Sequence, residues 1–262
     1  MLKNKKPKNI RLISLNSWGG RALYPLMNFF RQHSDKADIF CLQEIFDADQ
    51  KGLDRRHPDE HVHGDLFNKI SGVLTDFEGS FAYFDDNPYR QSLAIFVRRN
   101  LPIKEISDFV VYKPIKPKET GSVVISSRKI QYLELSIPEK LTIANFHGLW
   151  NGGPKTDTPE RISQSNRVKD FLNKIRGKKI LCGDFNLLPE TKSMKILNKG
   201  MINLIDKNKI PSTRTILYRH FDDPSEPNFA DYILISPDVN VVRFEVLPDV
   251  VSDHSPLYLE FN

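Results

Sequence analysis

Polar side chains that can bind a metal ion or a phosphate group recur where apolar runs of the sequence begin or end. The positions that share this feature are Asn16, Gln43-Glu44, His147, Asp184, Asn186, Asp231 and Asp253-His254. Catalytic groups are often placed at strand ends and in loops that a rigid sheet holds in position. Any one of these residues is explained equally well as a helix cap, a surface charge or an ordinary histidine. Their recurrence along one chain favours a shared catalytic site.

Short motifs surround these positions. In chain order they are Leu15-Asn16-Ser17-Trp18, Leu42-Gln43-Glu44, Asn145-Phe146-His147, Gly183-Asp184-Phe185-Asn186, Ala230-Asp231-Tyr232 and Ser252-Asp253-His254. They resemble the motifs of the endonuclease/exonuclease/phosphatase superfamily and occur in that family's order, from the first predicted strand to the last. The resemblance implies a deoxyribonuclease I-like fold and hydrolysis of phosphate esters with a divalent metal.

The resemblance also implies a metal site and a histidine–carboxylate pair. Glu44, Asn16 and Asp253 are the expected metal ligands. Mg²⁺ is the expected ion and Mn²⁺ the alternative, since hard cations of this kind bind oxygen ligands. His254 and Asp231 resemble the family's His–Asp pair, in which the carboxylate fixes the imidazole tautomer.

The remaining motif residues would act on the water and the phosphate. Asp184 would orient or deprotonate the attacking water, and Asn186 would hold phosphate oxygens. His147 would donate a hydrogen bond to a non-bridging oxygen. His254 and Asp184 both remain candidates for the general base, because only geometry shows which group reaches the water.

His147 also bears on the substrate. Abasic-site repair enzymes of this superfamily usually carry Tyr and then Pro-Asn where this chain has His147-Gly148-Leu149-Trp150. His at this position resembles deoxyribonuclease I, deadenylases, tyrosyl-DNA phosphodiesterases and sphingomyelinases. The leading hypothesis is therefore a phosphodiesterase or nuclease that acts on DNA or RNA.

Two alternatives remain open. The segment Leu15–Arg21 is similar to neutral sphingomyelinases, so a sphingomyelinase-like phospholipase C or a phosphoinositide phosphatase is the second hypothesis. The third is an inactive binding module with the same fold. The intact motif residues argue against the third, because an inactive relative is expected to lose at least one of them.

Arg90 and Trp150 are the candidates for substrate binding, because cationic side chains can follow a phosphate backbone and aromatic rings can stack on bases. Other basic candidates, which solvated surface charges would also explain, are Arg98-Arg99, Lys113–Lys118, Arg128-Lys129 and Lys178-Lys179. Arg161 could reach back towards the site, but no catalytic role is assigned to it. The histidines of His57–His63 lack the helical context of a zinc site, so a polar loop on the substrate side is predicted.

The elements that must position these residues follow from hydropathy patterns. Apolar runs at Ile10–Asn16, Asp38–Gln43 and Leu141–His147 predict buried strands. Thr158-Pro159 predicts the start of a long helix, with Thr158 as N-cap. Further strands are predicted at Ser92–Arg98, Glu105–Tyr112, Ser122–Ser127, Lys129–Leu135, Lys179–Cys182, Ala230–Ser236, Val241–Val246 and Leu257–Phe261. Many strands with few helices favour a four-layer α/β sandwich of two mostly antiparallel sheets flanked by helices.

Composition sets broader bounds. The chain has 262 residues, of which 39% are hydrophobic and 27% charged, and a net charge of +5, which tolerates a polyanionic substrate. A single domain over residues 1–262 is predicted, with residues 1–9 as a flexible basic tail. Because no secretory signal or membrane-spanning run is visible, a cytoplasmic monomer without stable membrane insertion is expected. Cys41 and Cys182 lie in apolar runs and are predicted to be buried free thiols.

Overall fold

The computed structural model describes residues 9–47, 59–83, 86–87, 89, 91–116, 118–120, 123–137, 139–223 and 228–262, so the predicted tail lies outside the described residues except for Asn9. The strands are β1 (Ile10–Asn16), β2 (Ile39–Phe46), β3 (Phe77–Ala82), β4 (Gln91–Arg98), β5 (Ile103–Tyr112), β6 (Lys118–Thr120), β7 (Val123–Ile125), β8 (Arg128–Leu135), β9 (Leu141–His147), β10 (Lys178–Asp184), β11 (Ile202–Asn203), β12 (Asp231–Ile235), β13 (Val241–Val246) and β14 (Leu257–Phe261). The helices are α1 (Leu23–His33), α2 (Leu66–Val73), α3 (Pro159–Lys174), α4 (Lys192–Asn198) and α5 (Leu204–Lys207).

The strands form two six-stranded sheets and a separate hairpin of β6 and β7. The first sheet has the order β13-β14-β1-β2-β4-β3, and the second has the order β11-β12-β10-β9-β8-β5. One central pair in each sheet, β1–β2 or β9–β10, is parallel. The other neighbouring strands run antiparallel. The predicted sandwich of two mostly antiparallel sheets is therefore confirmed.

Successive side chains along the strands of the first sheet alternate between two hydrophobic cores. Leu12 and Ile39 belong to the core that also contains second-sheet residues such as Ile143. Ile13 and Phe40, one residue further along, belong to a second core with residues of α1 and α2. Because successive strand side chains point to opposite faces, each apolar run fills both cores. This pattern gives the four layers of the sandwich.

The strand registers bring the predicted site residues to one edge of the sandwich. In the first sheet Asn16 pairs with Gln43. In the second sheet Asp184 lies between His147 on one neighbouring strand and Asp231 on the other. Because β1–β2 and β9–β10 are parallel pairs, the carboxyl ends of their strands meet at the same edge.

A bulge in β2 places Glu44. The sequence predicts that this strand ends at Gln43, but the strand continues to Phe46 with a register shift between Leu42 and Ile45 against β4. Glu44 has a φ of 55°, a left-handed conformation that is uncommon outside glycine. Bulges of this kind redirect side chains and are frequent beside active sites.

Several elements differ from those predicted. β3 and α4 were not predicted, because Glu78 and Gly79 interrupt the apolar run of β3 and α4 is short. The predicted strand Ser122–Ser127 is confined to β7 within the described part of the chain. The two cysteines are buried free thiols, as predicted. No helix among the described residues is long and apolar enough to cross a membrane.

The close approach of β10 to β9 requires a glycine at position 183. Gly183 has a φ of +134°, and a Cβ added there would lie 2.0 Å from the carbonyl oxygen of Phe146. Gly183→Ala is therefore expected to lower the free energy of unfolding by on the order of 3 kcal/mol in urea denaturation. Gly72→Ala is the control, since a Cβ at this position in α2 meets nothing within 4 Å. Equal unfolding midpoints for the two variants would contradict this packing.

An ion pair between Arg11 in β1 and Asp38, which directly precedes β2, predicts that the stability of the fold depends on pH. Asp38 is 2% exposed and accepts hydrogen bonds of 2.9 Å from both Nε and Nη2 of Arg11. Burial opposes ionisation of Asp38, but the hydrogen bonds from Arg11 outweigh it and hold the pKa of Asp38 below its usual range. A carboxyl group with a lowered pKa stabilises the fold above its unfolded pKa, and this stabilisation is lost as the pH falls through the folded pKa.

Asp38→Asn is accordingly expected to lower the free energy of unfolding at pH 7 by about 3 kcal/mol. The difference from wild type should shrink as the pH falls below about 4. Urea denaturation at a series of pH values measures both effects. Asp76→Asn is the matched control, because this side chain is 78% exposed and lies 3.9 Å from Arg98. A difference that stays constant down to low pH would show that the charge of Asp38 is not its source.

Candidate active site

A cleft of about 710 Å³ opens at the edge where these strand ends meet. Its walls include the predicted site residues Glu44, His147, Trp150, Asp184, Asn186, Asp253 and His254. Asn16 and Asp231 are 0% and 2% exposed and contact the wall residues from behind. The structure therefore brings together all the predicted catalytic and metal-binding residues. Arg90, predicted to bind substrate, lies outside the described residues.

Asp184 stands at the centre of the site. Its Oδ2 accepts a hydrogen bond of 3.0 Å from Asn16 Nδ2, and its Oδ1 accepts one of 2.9 Å from the backbone N–H of Asn186. The Nε2 atoms of His147 and His254 each lie 3.7 Å from the same Oδ2. Burial opposes ionisation of Asp184, but the neighbouring imidazoles of His254 and His147, together with the charges of Lys155 and Arg214, hold its pKa well below the usual range. Asp184 is therefore an anion at neutral pH.

His254 and Asp231 form a buried pair. The distance from His254 Nδ1 to Asp231 Oδ2 is 2.7 Å. The backbone N–H of Asp231 donates to Thr213 Oγ1 at 3.3 Å, which fixes the start of β12. Burial lowers the pKa of His254 to about 3, so its imidazole is neutral at pH 7. The bond at Nδ1 orients the ring and leaves Nε2 to exchange a proton with a group in the cleft.

His147 approaches the centre from the end of β9. Its Nε2 lies 4.0 Å from Glu44 Oε1, and burial lowers its pKa to about 3. The chain then turns at Gly148, where an added Cβ would lie 1.9 Å from the carbonyl oxygen of Phe185. A neutral imidazole in this position can donate one hydrogen bond into the cleft.

Glu44, Asn16 and Asp253 are residues that could hold a divalent cation. Burial, followed by the charges of Asp253 and Asp184, raises the pKa of Glu44 to about 7. Because the neighbouring carboxylates disfavour ionisation of Glu44, a bound cation would stabilise Glu44 as an anion. Carboxylate and amide oxygens without a cysteine fit a hard ion such as Mg²⁺.

A second group of residues could also hold a metal ion. Asp184, Asp231 and His254 each offer one ligand atom, and these atoms lie within 4.8 Å of one another. In this group the hydrogen bond between His254 and Asp231 already occupies one ligand atom of each residue. We therefore favour the donor set around Glu44, because Glu44 and Asp253 line the cleft.

The sequence from residue 13 to residue 254 matches the Endonuclease/Exonuclease/phosphatase family. The chain belongs to this family. Its members are phosphoester hydrolases. The matched range includes every motif residue listed above, so the predicted membership is confirmed.

Solved structures share the fold of this family member. A mannosyl-6-phosphatase of Bacteroides thetaiotaomicron is 20% identical with a TM-score of 0.66, and the match covers 97% of this chain and 99% of that one. The human Nocturnin catalytic domain with bound sulfate is 18% identical with a TM-score of 0.68, covering 97% and 93%. A humanized TDP2 of D. rerio is 16% identical with a TM-score of 0.71, covering 97% and 99%. The comparison with curated proteins finds no match.

Five cationic side chains line the cleft of this phosphoester hydrolase family member: Arg21, Arg128, Lys155, Arg214 and Arg219. The sequence alone suggests Arg128 as a substrate-binding candidate only through its charge, as it does the adjacent Lys129. Arg128 is 6% exposed, and its Nε has no hydrogen-bond partner among the described residues. Lys155 and Arg214 were not predicted, because neither is part of a motif and their positions depend on how distant loops fold.

Arg161 positions the loop that carries Trp150 and Lys155. Its guanidinium donates to the carbonyl oxygens of Leu149 at 3.1 Å and Thr156 at 2.6 Å. With 1% of its surface exposed, it acts as an internal brace of this loop.

Proposed function

We propose that this chain is a Mg²⁺-dependent phosphodiesterase that hydrolyses DNA, RNA or fragments of them. The observation that carries the proposal is the arrangement around Asp184. Two neutral imidazoles lie 3.7 Å from its Oδ2, and one of them is oriented by a buried carboxylate 2.7 Å away. Carboxylates that could hold a cation lie beside this group.

Asp184 and His254 would activate the attacking water. A water lying to one side of the 3.7 Å line between Asp184 Oδ2 and His254 Nε2 could hydrogen-bond to both atoms. As the water oxygen forms a bond to phosphorus, its proton passes to one of these two groups. The ester P–O bond on the opposite side breaks, and the leaving oxygen takes a proton from solvent water to become an alcohol.

Donors around the cleft would bind the phosphoryl oxygens. His147 would donate through Nε2, Asn186 through Nδ2 and Arg128 through its guanidinium. Preorganised donors of this kind stabilise the charge that develops in the transition state. A divalent cation bound by Asn16, Glu44 and Asp253 would supply further positive charge against the same oxygens.

Aromatic side chains in the cleft support a nucleic-acid substrate. Trp18, Tyr89, Trp150 and Tyr218 lie in its walls. Aromatic rings beside cationic groups are the usual means of binding single-stranded nucleic acid, since every base can stack. Trp150 is the residue that we propose for such stacking.

A small phosphorylated sugar or inositol is the second candidate substrate. The cleft volume of about 710 Å³ lies within the range of small-molecule sites, which is roughly 300–1,000 Å³. The fold is also shared with a mannosyl-6-phosphatase. The cleft volume favours a compact substrate. A terminal nucleotide and a sugar phosphate are both small enough to fit.

The test is a turnover screen with Mg²⁺ and Mn²⁺. The substrates are plasmid DNA, single-stranded DNA, RNA, bis-p-nitrophenyl phosphate, inositol phosphates, mannose 6-phosphate and sphingomyelin. Glu44→Ala is the site variant, and Glu78→Ala, at an exposed position in β3, is its matched control.

We expect metal-dependent cleavage of nucleic acid in the wild type and in Glu78→Ala, and none in Glu44→Ala. Activity confined to monoesters or sphingomyelin would overturn the nuclease assignment and keep the site. If turnover on every substrate is absent or insensitive to Glu44→Ala, the chain is not a hydrolase of this kind.

A further inference from the structure

The wall of the cleft carries an ammonium group with unused donors. Lys155 Nζ donates to the carbonyl oxygen of Phe229 at 3.2 Å. No carboxylate in the described part of the chain forms an ion pair with this lysine. Because an ammonium group has three N–H donors, Lys155 can still bind an anion that enters the cleft.

Arg214 extends the same wall. Its Nη1 donates to Asp253 Oδ2 at 3.1 Å, and its guanidinium carbon lies 4.4 Å from the ring centre of Tyr218. The side chain is 5% exposed, and its buried Nε has no hydrogen-bond partner among the residues that the structure describes. The guanidinium therefore balances one carboxylate and leaves further N–H donors open.

Both cations line the cleft, and the segments that carry them meet at Asn228 and Phe229: the N–H of Thr213 donates to the carbonyl oxygen of Asn228 at 2.9 Å, and Lys155 donates to that of Phe229. Burial, followed by the charge of Arg214, lowers the pKa of Lys155 to about 8. Placing two cations side by side in a largely buried wall costs free energy unless an anion offsets their charge. Asp253 offsets part of this charge, and it is also a proposed ligand of the cation.

Neighbouring residues hold both cations in place. Arg214 pairs with His254 in an isolated β-bridge, and its ring contact with Tyr218 fixes the guanidinium plane. Lys155 lies in the loop that Arg161 braces. A preorganised pair of this kind binds an anion without first ordering its own side chains.

We propose that Lys155 and Arg214 form a second phosphate subsite, which binds a phosphate of the substrate other than the one that is hydrolysed. The inference rests on the proposed function and specifies its substrate as a compound with at least two phosphates. The scissile phosphate has its own donors in His147, Asn186 and Arg128. Lys155 and Arg214 line the same cleft as these donors, and Arg214 is held there by its ion pair with Asp253.

A second phosphate can come from two sources. One is the neighbouring phosphodiester of a longer strand, and the other is a terminal phosphate on a short one. Both present the same oxygens to Lys155 and Arg214. A matched set of short oligonucleotides distinguishes them.

The experiment compares kcat/KM for four substrates in the presence of Mg²⁺. These are bis-p-nitrophenyl phosphate, a thymidine dinucleotide, the same dinucleotide with a 5′-phosphate, and the trinucleotide. The variants are Lys155→Met, Lys155→Arg and, as the matched control, Lys195→Met at an exposed position in α4. Lys155 is changed because Arg214 also holds Asp253. Thermal unfolding midpoints check that the variants are folded.

For wild type and Lys195→Met we expect a second phosphate to raise kcat/KM at least tenfold over the dinucleotide. Lys155→Met should lose most of this gain, and Lys155→Arg should retain it. A gain with the 5′-phosphate indicates a terminal phosphate, and a gain with the trinucleotide alone indicates an internal one. Turnover that is equal with and without a second phosphate would overturn the subsite while leaving the hydrolase intact. Absence of metal-dependent turnover on all four substrates would instead remove the proposed function on which the subsite rests.

Discussion

Asp184→Asn should lower kcat by on the order of a thousandfold while the protein remains folded. The amide keeps one acceptor for the hydrogen bonds from Asn16 and Asn186, so the strand end retains a polar partner. It loses the negative charge that faces both imidazoles, and with it the ability to orient or deprotonate the attacking water.

The measurement is the initial rate of bis-p-nitrophenyl phosphate hydrolysis at saturating Mg²⁺, together with the thermal unfolding midpoint. Asp170→Asn is the matched control, because this aspartate is exposed on α3. A folded Asp184→Asn variant with a rate near that of wild type would show that Asp184 does not act on the water.

His254→Ala and Asp231→Asn should each lower kcat by about a hundredfold or more. Asp231 acts only through the 2.7 Å bond that orients the imidazole of His254. The double variant is therefore expected to be no slower than His254→Ala alone, since the carboxylate has no ring left to orient.

Rates of the two single variants and the double variant, measured under one set of conditions, complete this cycle. Multiplicative losses would show that Asp231 and His254 act independently, in contradiction to the proposed pair. Asp238→Asn, at an exposed position that follows β12, controls for the loss of a carboxylate in this region.

The strands that carry site residues could be predicted closely from the sequence. The ranges Ile10–Asn16 and Leu141–His147 agree with β1 and β9 residue for residue. Both strands are buried on two faces, so they form continuous apolar runs that end at a polar residue. The start of α3 was also predicted, and the Thr158 hydroxyl accepts the expected hydrogen bond from the N–H of Arg161.

Features that depend on contacts with distant residues were not visible. Glu44 was expected to follow its strand, but the bulge that places it inside β2 arises from pairing with β4. Nothing in the local sequence distinguishes Lys155 from other loop lysines. Its position depends on a brace from Arg161 and a hydrogen bond to Phe229.

Whether a cationic residue faces the cleft likewise depends on the fold around it and not on the local sequence. Arg128 and Lys129 are adjacent and equally basic, yet Arg128 is buried in the wall of the cleft while Lys129 pairs with Asp108 at 2.7 Å. Because neighbouring strand residues face opposite sides, the choice between them depends on which face of β8 covers the cleft. Charge alone could not show this.

The most direct test of a cation-dependent hydrolase site at Glu44 is the Mg²⁺ dependence of turnover. Initial rates on bis-p-nitrophenyl phosphate would be measured after EDTA treatment, across a range of added Mg²⁺, for wild type and Glu44→Gln. We expect no turnover without the ion, and a half-saturating Mg²⁺ concentration at least about tenfold higher in Glu44→Gln. Full activity in EDTA, or the same Mg²⁺ dependence in both proteins, would contradict the proposed site.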